Sequence, residues 1–218
     1  MLILLKIKVM GKKFTDKQIH ILNVAEELIA NKGFEGTSVR DISTKAQINV
    51  AMISYYFGSK EKMMFQLYHF RVQRTREHFA EFSETIKDGK PEMQMREIVK
   101  YIVSQLFTYA YFHGFVSQEL RQNEHLKQEL LAFYQFCVMK IDEVLKKGIA
   151  SGVFTFAPKP EDILSIILGT TLFTIRNRNF IELYVRSNTD QNYNKEAEKK
   201  VKASIMLTVF ALLGFAHE

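Results

Sequence analysis

Residues 37–63 read TSVRDISTKAQINVAMISYYFGSKEKM, two short helical patterns about a polar turn. Ser38 and Asp41 have the spacing of a capping box, which opens a short helix with Val39, Ile42 and Ala46 on one face. Gln47-Ile48 interrupts it. Asn49 is a good N-cap for a second short helix over Val50–Tyr56. Gly58-Ser59 ends that helix, and Ser59 can cap the next. Two short helices joined by a tight turn have helix-turn-helix geometry. Such a turn holds only if both helices bury apolar faces against each other and a supporting helix. Ile42, Ala46, Ile48 and Ile53 occupy those inward positions, with Ser43 as the small residue where the helices approach. Val50, Ala51, Met52, Ser54 and Tyr55 face outward, the surface a major groove would meet. Any three-helix corner of an all-α protein shares this spacing, so spacing alone leaves DNA binding and plain packing both open.

The pattern extends both ways. Upstream, Thr15 and Gln18 again have capping-box spacing, Ile19, Leu22, Ala25 and Ile29 follow at helical intervals, and Gly33 stands where a C-terminal glycine belongs. Downstream, no Gly or Pro occurs from Ser59 to Asp88. A helix of ~20–28 residues there would span roughly 30–42 Å. Further helices are expected near 92–111, 115–124, 126–150, 161–185 and 195–216. Turn formers separate the segments at Asp88-Gly89-Lys90-Pro91, from Ser151-Gly152 to Pro160, and along the polar run Asn188–Asn194. The expected fold is all-α: a three-helix head over residues 10–62, then a larger helical domain over 63–218.

Composition agrees. The chain has 218 residues, 47% hydrophobic and 25% charged, which is enough for a real core. Ten glycines and three prolines are too few for a many-turned β fold. The single cysteine, Cys137, excludes an internal disulfide framework and multi-cysteine zinc sites. MLILLKIKV at the start is interrupted by Lys6 and Lys8 and has no small-residue cleavage site, so residues 1–9 read as a loose extension ahead of Met10. The longest charge-free apolar run elsewhere, Ile163–Ile175, falls short of the ~20 residues of a membrane helix. A cytoplasmic protein is expected, with no membrane partner.

The stretch Thr15–Met63, with GFEGTSVRDIS, the turn Ala46-Gln47-Ile48-Asn49 and ISYYFGSKEKM, resembles the N-terminal domain of the TetR family of transcriptional regulators. The resemblance covers about 50 residues. It implies a homodimeric, ligand-responsive repressor that binds a pseudo-palindromic double-stranded DNA operator and is released by a small apolar or amphipathic inducer. It also implies phosphate contacts from Ser38, Tyr56 and Lys60. Two residues depart from the family pattern. Gln47 replaces the turn glycine and must accept that turn's backbone angles. Ser54 replaces a frequent aromatic in the recognition helix and alters which bases are read.

The residues support those roles chemically. Ser38 and Ser59-Lys60 lie at helix N-termini, which attract anions. Lys60 brings a charge and Tyr56 a hydroxyl. Arg40 has the fork to pair with a guanine, and Val50, Ala51 and Met52 suit thymine methyls, with Asn49 and Tyr55 beside them. Lys12 and Lys13 form either a DNA-touching arm or a free basic tail. The net charge of +6 permits a polyanionic partner without demonstrating one. Residues 10–62 hold 8 Lys+Arg and 6 Asp+Glu, only +2, so affinity must come from placement and pairing of heads.

Nine aromatics fall between Tyr101 and Phe136, about double the chain's 12%. Aromatic walls with a few polar groups make small-molecule sites, and they also make ordinary cores. Tyr101, Gln105, Tyr109, His113, Phe133 and Phe136 are the candidate ligand residues. Arg176 and Arg178 either meet an acidic ligand or form surface ion pairs. Cys137 reads as a core residue, since a redox sensor needs an exposed thiolate. There is no phosphate loop, nucleophile elbow or metal-ligand spacing, so no enzyme, metal or cofactor is expected. The broad apolar faces near 161–185 and 195–216 suit a two-fold bundle between two copies. The competing reading is a helical small-molecule-binding or protein-interaction module without specific DNA binding.

Overall fold

The structure is a computed structural model that describes residues 13–113, 124–185 and 190–215. Its helices are α1 (Asp16–Lys32), α2 (Val39–Lys45), α3 (Val50–Phe57), α4 (Lys60–Ile86), α5 (Pro91–Thr108), α6 (Glu124–Ala150), α7 (Pro160–Arg176), α8 (Arg178–Ile181) and α9 (Asp190–Leu212). No strand occurs among the described residues.

The helix starts follow from local chemistry. Thr15 and Ser38 each close a full capping box, with Gln18 and Asp41. Asn49 Oδ1 accepts from the Ala51 amide at 2.8 Å. Pro91 and Pro160 open α5 and α7 at the first helical position, where a missing N–H costs nothing. The 27-residue α4 fulfils the glycine- and proline-free stretch.

The chain divides into two compact units. In the first, α1, α2 and α3 pack around Ile21, Leu22, Ala25, Ile42, Ala46 and Ile53. Met63, Met64, Leu67 and Tyr68 of α4 are buried in the same unit. Ile48, expected inward, is half-buried because it lies on the turn itself. Arg71 makes a buried, two-pronged ion pair with Glu26, with Nε donating to Oε1 at 2.6 Å. This unit also holds residues 124–131, the first two turns of α6. There Glu129 Oε2 stands 2.6 Å from His69 Nδ1 of α4.

The second unit comprises the described residues from 78 to 113 and from 132 onward. Helices α5, α7 and α9 pack pairwise on one another. Phe79 of α4 and Cys137, Ile141, Val144 and Leu145 of α6 complete one core with them. Phe154 folds under α6 so closely that a Cβ at Gly148 would stand 2.0 Å from its ring.

Three expected boundaries are corrected. The helix near 92–111 stops at Thr108, where Tyr109 leaves helical angles at φ −110°, and helix resumes over 110–113. The single helix over 161–185 is two helices. Asn177 breaks it, adopting φ −110° and turning its Nδ2 back to donate to the Phe173 carbonyl at 2.8 Å. The last helix begins earlier, at Asp190, so much of the polar run expected as a loop is its first turn. The helix expected near 115–124 lies almost wholly outside the described residues, as do residues 1–9 and Lys12.

Candidate nucleic-acid interface and ligand site

The turn between α2 and α3 is built from backbone hydrogen bonds. The Ala46 amide donates to the Ile42 carbonyl at 2.8 Å, and the Ile48 amide donates to the Ser43 carbonyl at 3.0 Å. That wrap requires left-handed backbone at Gln47, whose φ is 55°. Among the described residues Gln47 is the only non-glycine with positive φ. The sequence departure at this position is therefore absorbed as local backbone strain, with the turn geometry kept. His20 Nε2 lies 3.1 Å from the Ala46 carbonyl and ties the turn to α1.

With Ile53 and Phe57 buried, the opposite side of α3 is open. Tyr55 is 80% exposed and Val50 39%. Asn49, Ala51 and Ser54 are exposed, and Met52 and Tyr56 are half-buried. The Tyr56 ring sits edge-on to Tyr55 at 5.1 Å. Arg40 and Ser38 are exposed at the start of α2. The Ser38 hydroxyl already donates to Asp41 Oδ2 at 2.7 Å and accepts from the Asp41 amide. These bonds hold the Asp41 carboxyl below its usual range. Lys60 opens α4, with its ammonium 4.0 Å from the centre of the Phe34 ring. Arg40, Asn49, Val50, Ala51 and Tyr55 are thus all exposed, while Ile53 and Phe57 of α3 are buried in the head.

In the second unit much of the aromatic set packs against one core. Phe79 of α4 is the hub: Phe133, Phe136 and Tyr101 lie 6.3, 5.8 and 5.7 Å from it. Tyr101 stacks on Phe82 at 4.2 Å. Phe79 and Phe82 lie outside the aromatic-rich stretch and went unmarked in the sequence. Their only signal was an aromatic pair three residues apart on α4. Tyr109 pairs with Tyr111 at 6.4 Å, and Phe112 with His113 at 5.8 Å. Gln105 is half-buried on α5.

The titratable groups here are pushed toward neutrality. Burial, then the Arg176 guanidinium, lowers the His113 pKa to about 4, while a hydrogen bond to the Leu106 backbone opposes them. Burial raises Tyr101 to about 12 and raises Tyr134 as well. Burial pushes the Cys137 thiol to about 12, and with 2% exposure it is a core residue. Arg176 Nη2 reaches the His113 carbonyl at 3.4 Å, and Arg178 pairs with Glu182 at 2.6 Å. Among the described residues no three His, Cys, Asp or Glu side chains gather as a metal set, and no helix is long and apolar enough to cross a membrane.

Two family models match. The one for bacterial regulatory proteins of the tetR family covers residues 21–67. The one for the tetracyclin repressor-like C-terminal domain covers 91–206, more than half of the chain. The chain is 29% identical over 151 residues to a probable HTH-type transcriptional regulator, YttP, of Bacillus subtilis, a match covering 67% of this chain and 71% of the relative. It is 30% identical over 138 residues to the HTH-type transcriptional repressor NicS of Pseudomonas putida, covering 62% and 64%. Among solved structures, the transcriptional regulator FadR from Bacillus subtilis in complex with stearoyl-CoA shares the fold with a TM-score of 0.58. It has 22% identity and covers 91% of this chain and 99% of that one.

Proposed function

Because the chain belongs to the TetR family of bacterial transcriptional regulators, we infer that it is a ligand-responsive, homodimeric repressor that reads a pseudo-palindromic operator through α3. The observation that carries this reading is the two-sided character of α3. Ile53 and Phe57 are sealed in the head, while Val50 and Tyr55 stand in solvent with Asn49, Ala51 and Arg40 beside them. Large apolar side chains held out on one short helix suit contact with base edges and thymine methyls. Tyr56, Lys60 and Ser38 serve the phosphate backbone. Ser38 must turn its hydroxyl away from Asp41 to do so.

We place the DNA-reading head at residues 10–62 and the sensing and dimerising part at 63–218. Tyr101, Gln105, Tyr109, His113, Phe133 and Phe136 line the inducer site in this reading. A neutral His113 and un-ionised tyrosines suit an apolar or amphipathic inducer. The stearoyl-CoA bound by the Bacillus subtilis neighbour is a molecule of that kind. Two copies meet through α7 and α9, whose outer faces carry Phe173, 53% exposed, and Leu207, 66% exposed. α4 opens in the head unit at Lys60 and ends at Ile86 in the other, so it is the element through which inducer binding shifts the heads. Full release from mostly bound to mostly free requires a differential affinity of up to ~5.5 kcal/mol.

The test is fluorescence anisotropy on DNA from the promoter of the chain's own gene. The Arg40→Ala, Tyr56→Ala, Lys60→Ala triple variant is expected to lose about 100-fold or more in affinity. Wild-type binding should weaken steeply with salt, at ~0.9 log units per phosphate contact per tenfold salt. Equally weak binding of DNA by both proteins would instead support a module that docks protein.

A further inference from the structure

Lys60, given a backbone phosphate in the function inferred above, lies against an aromatic ring. Among the described residues no carboxylate is ion-paired with it, and its ammonium lies over the Phe34 ring at 4.0 Å. Its neighbour Glu61 is hydrogen-bonded to Ser59, and the Lys60 charge adds only a lesser lowering of that carboxyl's pKa.

The loop that presents Phe34 is tightly fixed. Gly33 turns at φ 73°, an angle that favours glycine. The fully buried Thr37 donates its hydroxyl to the Gly33 carbonyl at 2.8 Å and its amide to the Phe34 carbonyl at 3.2 Å. A Cβ at Gly36 would stand 2.3 Å from the Lys32 carbonyl oxygen, so the loop closes only with glycine there. On the other side, Ser59 Oγ accepts from the Lys62 amide at 3.2 Å and sets the first turn of α4. Two hydrogen-bonded turns therefore place the Phe34 ring and the Lys60 ammonium against each other.

We propose that Phe34 is a positioning residue for DNA, its ring holding the Lys60 ammonium ready for a backbone phosphate. The proposal rests on the DNA-reading function inferred above. A free lysine has four rotatable bonds to order when it meets a phosphate, and that entropy is lost from affinity. A carboxylate partner would order the side chain but neutralise it and compete with the phosphate. An aromatic face attracts the cation and leaves its charge intact, with N–H groups still directed outward. Phe34 thus contributes to DNA affinity without touching DNA, and only through Lys60.

A double-mutant cycle tests this. The duplex is selected from a random-sequence pool by the wild-type full chain. Affinities are then measured for wild type, Phe34→Leu, Phe34→Tyr, Lys60→Met and Phe34→Leu with Lys60→Met, with a thermal melt of each. For a complex with two heads, Phe34→Leu is expected to weaken binding ~5–30-fold. Phe34→Tyr, which keeps the π face, should remain within about twofold of wild type on the same grounds. In the Lys60→Met background, Phe34→Leu should change nothing further. Phe34→Met, which fills the volume without a π face, takes the leucine's place in the cycle if the leucine chain does not fold. An equal loss from Phe34→Leu in both backgrounds overturns the proposal, since the ring would then act through the fold. So does wild-type affinity of Phe34→Leu beside a weakened Lys60→Met, which leaves the DNA-reading function standing. Failure to select any duplex, or wild-type affinity of Lys60→Met, removes the DNA-reading premise or Lys60's part in it, and the proposal with it.

Discussion

Gln47 bears the backbone strain of the recognition turn. A left-handed angle costs an L-residue with a Cβ about 1–2 kcal/mol relative to glycine, while glycine loses ~0.5–1 kcal/mol through its freer unfolded chain. Gln47→Gly is therefore expected to stabilise the protein by up to ~1 kcal/mol in urea unfolding, with operator affinity kept. His113 gives the opposite kind of signature, a pH dependence. Its folded pKa of about 4 lies below the ordinary 6.5. Between those values the unfolded chain binds the extra proton, so stability falls as pH drops from about 6.5 to 4. The loss is at most about 3 kcal/mol for this half-buried group. His113→Gln should flatten that part of the stability–pH curve. A curve identical to wild type would show that His113 is not buried as described.

Elements whose ends are set by near neighbours were legible in the sequence. The capping boxes of α1 and α2 each join residues three positions apart, and Pro91 and Pro160 mark their own helix starts. The break at Asn177 was not legible, because Asn carries only a modest helix penalty and the apolar spacing continues through it. The aromatic hub was hidden for another reason. Phe79 and Phe133 meet from helices far apart in the chain, and so do His20 and the Ala46 carbonyl, 26 positions apart. The same holds for His69 and Glu129, which join α4 to the first turns of α6, 60 positions on. Glu129→Gln is expected to cost about 1 kcal/mol and to raise amide exchange across residues 127–131. Exchange at Cys137–Leu145 should not change. Uniform acceleration along α6 would show that the His69 contact does not anchor its start.

At the scale of the whole molecule, the exposed Phe173 and Leu207 set the expectation for assembly. A carboxylate introduced there would face the apolar surface of a second copy and lose its hydration. Leu207→Glu is expected to shift the protein to a single-chain mass in sedimentation. Operator affinity should fall by about 100-fold or more, since two tethered heads reinforce each other. A dimer of unchanged affinity would move the interface elsewhere. The sole thiol offers a practical consequence. Cys137 is sealed in the core, and its proton is held far above neutrality. Maleimide dyes should therefore pass it by, so a cysteine introduced at an exposed position such as Glu35 can carry a fluorophore in the otherwise native chain. Energy transfer between two such fluorophores would then report the separation of the paired heads as inducer is titrated.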